Sequence, residues 1–164
     1  MKTQSLIAAG FIFLCGIAPV WAGDDTGVQR LALCQDSWID WQKTDPAQMK
    51  KFADYFRAKF TPHDNDPYWL PKANISIMGL RATQVFPESI GMAVGFSVTV
   101  EAPFDVARRA VERSIGKKVG GCERGDDMQM CGLEIAKERT VTLMAEDSPK
   151  AKEALVGCYY LYEK

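Results

Sequence analysis

The sequence predicts an α+β fold, a single domain with a mainly antiparallel sheet of about five strands, two N-terminal helices and one crossover helix. Three observations support this prediction. Apolar residues recur at spacings of three and four in three segments, they alternate with polar or small residues in five others, and the two kinds of segment follow the order ααββαβββ. Helices and strands that are segregated in this way favour a sheet with helices packed against one side.

The first 22 residues have the pattern of a secretory signal peptide. Lys2 supplies a positive start, Leu6–Ile17 is apolar, and Val20 and Ala22 are small residues at the positions that a signal peptidase reads. The apolar run is about a dozen residues, shorter than the roughly 20 that a membrane-spanning helix needs. We therefore expect cleavage after Ala22, export to the periplasm without stable membrane insertion, and one domain over residues 23–164.

Composition excludes some partners. The chain has 20 basic and 21 acidic residues, and no polybasic run stands out. Binding to nucleic acid or to an anionic membrane surface depends on a concentrated basic patch. Neither is therefore an expected partner.

Four cysteines remain outside the predicted signal peptide: Cys34, Cys122, Cys131 and Cys158. An even number in an exported chain predicts two disulfides, with three possible pairings. We favour Cys122–Cys131 as a local link, which leaves Cys34–Cys158 to join the first helix to the last strand. Loop-closure entropy assigns about 2.7 kcal/mol to the short link and about 5 kcal/mol to the long one. A zinc site is not expected, because the chain has no CxxC pair and a single histidine.

Two helices are predicted at the start of the domain. In Val28–Gln42, apolar residues fall on one stripe that includes Cys34 and Trp41. A second helix follows, for which Asp45 is a suitable N-cap and Pro46 a suitable first residue. Its apolar face runs from Met49 to Phe60.

The segment Thr61–Lys72 is predicted to be a loop, because its three prolines disfavour regular structure. A loop of about a dozen residues is near the length at which loops tend to be functional. Asp64 and Asp66 supply acid, and Tyr68 and Trp69 are aromatic residues of the type that anchor interfaces. These four residues are candidates for contact with a partner.

The rest of the chain is predicted to form the sheet and the crossover helix. The strands are Ile75–Val85, interrupted or bulged at Gly79, then Ile90–Glu101, Met128–Ala136, Thr140–Glu146 and Leu155–Tyr162. Pro103–Ile115 is the third helix, with Gly116 just beyond its end. Residues 120–127 are predicted to be a turn.

The central strand Ile90–Glu101 has a bulky face and a face of small residues that includes Gly95 and Ser97. A small-residue face allows another element to approach closely, or leaves the sheet shallow enough to receive a partner. In the last strand, alternation places Tyr159 opposite Cys158, and hence on the side away from the helices. Tyrosine combines apolar area with a hydroxyl, so Tyr159 is a fifth candidate for partner contact.

No catalytic, metal or cofactor site is expected. His63 is the only histidine and lies in a proline-flanked segment that offers nothing to fix its tautomer. The segment 95–99, GFSVT, lacks the second glycine of a nucleophile elbow and lies within a strand. Residues 63–66 carry oxygen ligands, but without the spacing, glycine and terminal glutamate of an EF-hand loop.

In organisation, the chain resembles the small periplasmic immunity proteins that accompany secreted antibacterial effectors, and those of type VI phospholipase effectors in particular. The shared features are a signal peptide before Gly23, a helical start holding Cys34, a compact sheet, a CX8C loop at Cys122–Cys131 and an aromatic last strand. The resemblance implies a non-catalytic protein that occludes a secreted effector. No site residues are transferred from it.

The sequence therefore favours a non-catalytic periplasmic binding protein that neutralises an effector or hydrolase by occluding it. A stiff, proline-containing loop suits this role because it loses little entropy on binding. The alternative is a small-molecule or lipid carrier of the bacterial envelope that uses the small-residue face of the central strand.

Overall fold

The structure is a computed structural model that describes residues 25–87 and 94–160, without the side chains of residues 38 and 94. The predicted signal peptide, the first residues of the predicted central strand and the end of the last strand lie outside these ranges. The helices are α1 (Thr26–Ala32), α2 (Trp38–Thr44), α3 (Pro46–Lys59) and α4 (Phe104–Ile115). The strands are β1 (Phe60–Pro62), β2 (Trp69–Pro71), β3 (Ser76–Ile77), β4 (Leu80–Phe86), β5 (Val94–Val100), β6 (Gly120–Arg124), β7 (Met128–Ala136), β8 (Arg139–Glu146) and β9 (Ala154–Tyr160).

The α+β class and the mainly antiparallel sheet are confirmed, but the number of strands is wrong. The described residues form a sheet of nine strands rather than about five, in the order β1-β2-β4-β5-β9-β8-β7-β6, with β3 beside β4. All the neighbouring pairs are antiparallel. Helix α4 connects β5 to β6 at the far edge, and the chain then returns strand by strand to β5. The additional strands are β1, β2, β3 and β6, which are short or lie at the edges.

The predicted helix Val28–Gln42 is wrong as a single helix, because the chain breaks it into α1 and α2. Cys34 adopts a left-handed conformation, with φ of 56°, just after the end of α1. Its disulfide to Cys158 on β9 holds it there. Ser37 then caps a new helix by accepting a hydrogen bond from the Asp40 backbone N–H at 3.1 Å. The apolar residues of the predicted stripe are therefore divided between α1, α2 and the turn that separates them.

Helices α3 and α4 confirm the predictions to within one residue at each end. The Asp45 side chain accepts a hydrogen bond from the Gln48 backbone N–H at 3.0 Å, and Pro46 opens α3. Gly116 ends α4 in the left-handed conformation, with φ of 68°.

The segment Thr61–Lys72 is not an irregular loop, as its prolines predicted, but part of a β-hairpin. Pro62 pairs with Trp69, and the His63 backbone N–H donates to the Tyr68 carbonyl at 3.0 Å. Both strand prolines are tolerated because Pro62 lies on the edge strand and Pro71 ends β2.

A second correction concerns residues 120–127, which were predicted to be a turn. Gly120–Arg124 forms edge strand β6, and the turn is confined to the residues between β6 and β7. The disulfide Cys122–Cys131 joins these two strands. This covalent link brings a glycine-rich, exposed segment alongside β7.

Both predicted disulfides, Cys34–Cys158 and Cys122–Cys131, are present. The predicted strand Ile75–Val85 is interrupted at Gly79, as expected, but it is wrong as a single strand, because the chain reverses there and forms the antiparallel strands β3 and β4. Met78 and Gly79 both have positive φ, at 56° and 74°, and form the two-residue turn between β3 and β4.

One hydrophobic core lies between the sheet and the helices. The Phe96 side chain on β5 contacts the rings of Phe52 and Phe56 on α3 at 6.0 and 6.3 Å between centroids. Buried residues of α4, among them Ala107 and Val111, belong to the same cluster. Within the described ranges, no helix has both the length and the apolar composition to cross a membrane.

Candidate protein-binding surface

The sheet has a face that points away from the described helices. Phe96 and Val98 on β5, like Cys158 on β9, point into the core. Their neighbours along each strand therefore point to the opposite side. We call this second surface the open face, and the cross-strand register defines its members. They include Thr61, Tyr68, Leu70, Gln84, Phe86, Gly95, Ser97, Thr99, Glu123, Met128, Met130, Gly132, Glu134, Thr140, Thr142, Met144, Glu146, Leu155, Gly157 and Tyr159.

The side chain of Tyr159 covers the centre of the open face. A Cβ atom added to Gly157 would lie 3.0 Å from Tyr159 Cε2, and one added to Gly95 would lie 3.1 Å from Tyr159 Cδ1. The tyrosine ring therefore lies over both glycines. Ser97, directly opposite Gly157, is only 1% exposed. Burial raises the pKa of the Tyr159 hydroxyl.

An aromatic cluster lies at one end of the open face, where the β1–β2 hairpin joins the sheet. The Tyr68 ring stacks on the His63 ring at 4.7 Å between centroids and contacts the Phe86 ring at 5.7 Å. His63 Nδ1 and Asp66 Oδ2 form a hydrogen bond of 2.8 Å. Loss of solvent, and then the Asp66 carboxylate, raise the pKa of the Tyr68 hydroxyl. These contacts fix the hairpin tip.

A methionine-rich area lies at the other end. Met130 on β7 pairs with Met144 on β8, and Met144 pairs with Leu155 on β9. Met128 lies two residues before Met130 and is 48% exposed, while Met130 is 39% exposed. A shallow cleft of about 600 Å³ opens beside Met128, Met144 and Leu155. We call Met128, Met130, Met144 and Leu155 the methionine patch.

Exposed apolar area is concentrated on this side of the molecule. Among the described residues, three large apolar side chains are exposed, namely Leu70, Met128 and Met130. All three belong to the open face. Scattered exposed apolar residues need no explanation, but apolar residues gathered on one face indicate a contact surface.

The five residues predicted for partner contact do not share one surface. Tyr68 and Tyr159 lie on the open face, and Asp64 and Asp66 are exposed at the hairpin tip. Trp69 points to the helix side, where its ring lies 5.0 Å from the Phe56 ring. Because Tyr68 and Trp69 point in opposite directions, they cannot enter one cleft together.

Phe86, Met128 and Met130 were not predicted from the sequence as contact residues. A signal for the methionines was present, because Met128 and Met130 alternate with Gln129 and precede Cys131. A disulfide at Cys131 fixes the phase of the strand, since Cys131 is fully buried. The methionines at even positions must then face the other way.

The described residues offer little reactive chemistry. His63 and Asp66 form a pair, but both side chains lie on the hairpin surface and are 41% and 47% exposed. Within the described ranges, no group of three or more histidine, cysteine, aspartate or glutamate side chains is placed to hold a metal ion. The described surface instead presents exposed apolar and acidic side chains.

Comparison of the chain with protein-family models, with curated proteins and with solved structures finds no match in any of the three. The functional interpretation therefore depends on the geometry and chemistry of the open face.

Proposed function

We propose that this chain is an exported, non-catalytic binding protein of the bacterial envelope that neutralises a secreted effector or hydrolase by covering it with the open face. One observation carries the proposal. The exposed large apolar side chains of the described residues, Leu70, Met128 and Met130, all lie on the face of the sheet that the described helices do not cover.

The open face is large enough for a specific protein interface. Eight neighbouring strands at about 4.8 Å spacing span about 34 Å, and central strands of seven residues extend about 23 Å. The product is about 800 Å², which matches the share of one partner in an interface of standard size. A bound protein could therefore bury the aromatic cluster and the methionine patch at the same time.

The scaffold beneath the open face is rigid. The Cys34–Cys158 disulfide fixes β9 to the helix layer, and Cys122–Cys131 fixes β6 to β7. Stacking of His63 on Tyr68 orders the hairpin tip. A preorganised surface loses less conformational entropy on binding, and this favours tight inhibition.

The carrier alternative finds less support. The small-residue face of β5 was expected to leave space for a ligand, but the Tyr159 ring occupies the space over Gly95 and Gly157. Ser97 and Thr99 are 1% and 8% exposed.

The test is to capture the partner and measure its inhibition. Immobilised protein is incubated with the secreted and periplasmic proteins of the source bacterium, and the retained effector or hydrolase is purified and assayed with and without this protein. We expect stoichiometric inhibition by the wild type and its loss in Met128→Lys/Met130→Lys. Ala47→Lys/Ala58→Lys is the matched control, because it adds the same charge at exposed positions of α3. Equal inhibition by both double variants, or none by the wild type, would contradict the proposal.

A further inference from the structure

We propose that the methionine patch binds a basic amphipathic helix of the partner protein. This inference rests on the proposed function and assigns the chemistry of the segment that the open face recognises. It follows from the direction of the apolar stripe, the charges that border it, and the pairing of the strands that carry it.

The apolar stripe runs across the strands. Leu155, Met144 and Met130 are cross-strand neighbours on β9, β8 and β7. Two strand spacings make the stripe about 10 Å long, which is about two turns of an α-helix. A helix presents apolar side chains at i, i+3, i+4 and i+7 over that distance. The stripe and one face of a short helix therefore match in length.

Two carboxylates border the stripe, and a third lies further along β7 on the same face. On β6, Glu123 lies directly opposite Met130, and on β8, Glu146 lies directly opposite Met128. Glu134 follows on the open face of β7, opposite Thr140. All three are exposed, and none takes part in the ion pairs found among the described residues. They leave unneutralised negative charge beside exposed apolar area.

Other charges near the cleft do not neutralise the negative charge of these carboxylates. Lys150 and Lys152 lie on the connection between β8 and β9 with Glu153 beside them, whereas Glu101, which also lines the cleft, is paired with Arg81. Asp126 and Asp127 add acid at the β6–β7 turn, where Arg124 is paired with Asp147. Carboxylates therefore outnumber the unpaired lysines, and a cationic segment complements this end better than an anionic lipid does.

The strand pairing favours a helix over an added strand. The patch lies on β7, β8 and β9, each hydrogen-bonded to a strand on both sides. Their backbone groups cannot pair with an incoming strand, so recognition must go through side chains. Methionine suits this use, because its unbranched, polarisable side chain adapts to the residues that it meets.

The test uses a synthetic peptide of about 18 residues, with leucine on one helical face and lysine on the other, and a matched peptide with glutamate in place of lysine. Calorimetry with the full, oxidised protein is expected to show binding of the lysine peptide and none of the glutamate peptide. Raising the salt from about 50 mM to about 300 mM weakens the binding of the lysine peptide, because it shortens the screening length.

Charge variants separate specific recognition from net charge. Glu123→Gln/Glu134→Gln/Glu146→Gln is expected to weaken binding of the lysine peptide about tenfold, since three exposed ion pairs are lost. The control Asp54→Asn/Asp105→Asn/Glu138→Gln removes three exposed carboxylates from α3, α4 and the β7–β8 turn and is expected to leave the affinity within about twofold. NMR of labelled methionine methyl groups should show shifts at Met128, Met130 and Met144 and none at Met49, which lies on the helix side.

Several outcomes would overturn the inference: equal binding of the two peptides, equal loss in the two triple variants, shifts centred on Met49, or a self-association of the protein that Met128→Lys/Met130→Lys abolishes. Failure of this inference can be distinguished from failure of the proposed function. If the peptide does not bind but a captured effector is still inhibited by the wild type and not by Met128→Lys/Met130→Lys, the proposed function stands and the assignment of a basic helix is wrong.

Discussion

Gly157 on β9 lies directly opposite Ser97 on β5, and a Cβ atom at position 157 would come within 2.5 Å of the Ser97 Cβ atom. No side chain other than hydrogen fits there without a shift. Strands β5 and β9 are therefore closely packed at this position. The sequence had suggested room for a partner or ligand there.

Gly157→Ala should destabilise the protein by about 1–3 kcal/mol, as expected for overpacking at a closely packed site. Ser97→Gly removes the closest contact of the added atom. The double variant Gly157→Ala/Ser97→Gly should therefore lose less free energy of unfolding than the sum of the two single losses. Urea unfolding of the four proteins in the cycle measures this coupling. Additive losses would show that the contact with Ser97 is not what excludes a side chain.

Two further glycines are controls for this effect. Gly120→Ala should change stability by less than about 0.5 kcal/mol, because nothing lies within 4 Å of the added atom. At Gly95 the added Cβ would clash with the Cys158 backbone carbonyl. Gly95→Ala should therefore be strongly destabilising, and Ser97→Gly should not restore it.

The sequence predicted best those elements whose ends carry local signals. Asp45 and Gly116 mark a start and an end that the structure reproduces within one residue. Strand β7 has the predicted bounds, Met128–Ala136, because alternation there is regular. Tyr159 was placed on the correct side of the sheet because the disulfide at Cys158 set the phase of the last strand.

The elements that were missed depend on contacts distant in sequence. Neither Gly120 nor Gly121 has strand propensity, and β6 exists because β7 and the disulfide to Cys131 are beside it. The break at Cys34 likewise depends on a residue 124 positions away. Trp69 was expected at the surface, but the direction of its side chain follows from its pairing with Val85. A local pattern carries none of this information.

Tyr55→Phe should destabilise the protein by about 1–3 kcal/mol, because it leaves a buried carboxylate short of a donor. The Tyr55 hydroxyl donates to Asp25 Oδ2, and the Asp25 side chain is 1% exposed. Asp25 also caps α1 by accepting from the Val28 backbone N–H at 3.1 Å. Tyr68→Phe, at the hairpin, should cost less than about 0.5 kcal/mol. Equal losses in urea would contradict a special role for the Asp25 contact.

The same pair predicts a change in stability at alkaline pH. Burial, and then the hydrogen bond to Asp25, raise the pKa of Tyr55. The folded state therefore holds this proton more tightly than the unfolded state, in which tyrosine titrates near pH 10. The advantage of the wild type over Tyr55→Phe should be complete below about pH 10 and decline above it. A difference that stays constant from pH 8 to about pH 11 would contradict the raised pKa.

The two disulfides should differ in their effect on stability. Cys34 and Cys158 are 124 residues apart, whereas Cys122 and Cys131 are 9 apart. Loop-closure entropy predicts losses of about 5 kcal/mol for Cys34→Ala/Cys158→Ala and about 2.7 kcal/mol for Cys122→Ala/Cys131→Ala. Guanidinium unfolding of the oxidised variants measures both values. A larger loss from the short link would mean that folded-state contacts, rather than chain entropy, determine the ranking.

Glu112 should make the end of α4 sensitive to acid. Its carboxylate accepts hydrogen bonds from Lys118 Nζ and from the Val119 backbone N–H, both at 3.1 Å. The bond from Lys118 is the main reason why the pKa of Glu112 is lowered, and it outweighs the opposing effect of burial. The folded state therefore holds the proton less tightly than the unfolded state, in which glutamate titrates near pH 4.3.

The stabilisation from Glu112 should be complete above about pH 4.3 and disappear as the pH falls through the lower pKa of the folded state. Glu112→Gln keeps an acceptor for Val119 but has no charge, so its melting temperature should lie below that of the wild type at pH 7 and approach it near pH 3. Thermal unfolding followed by circular dichroism over this range measures the difference. Lys118→Ala should show a smaller pH dependence than the wild type, because the main cause of the shift is gone. A gap between the wild type and Glu112→Gln that does not change with pH would indicate a packing effect and not the carboxylate charge.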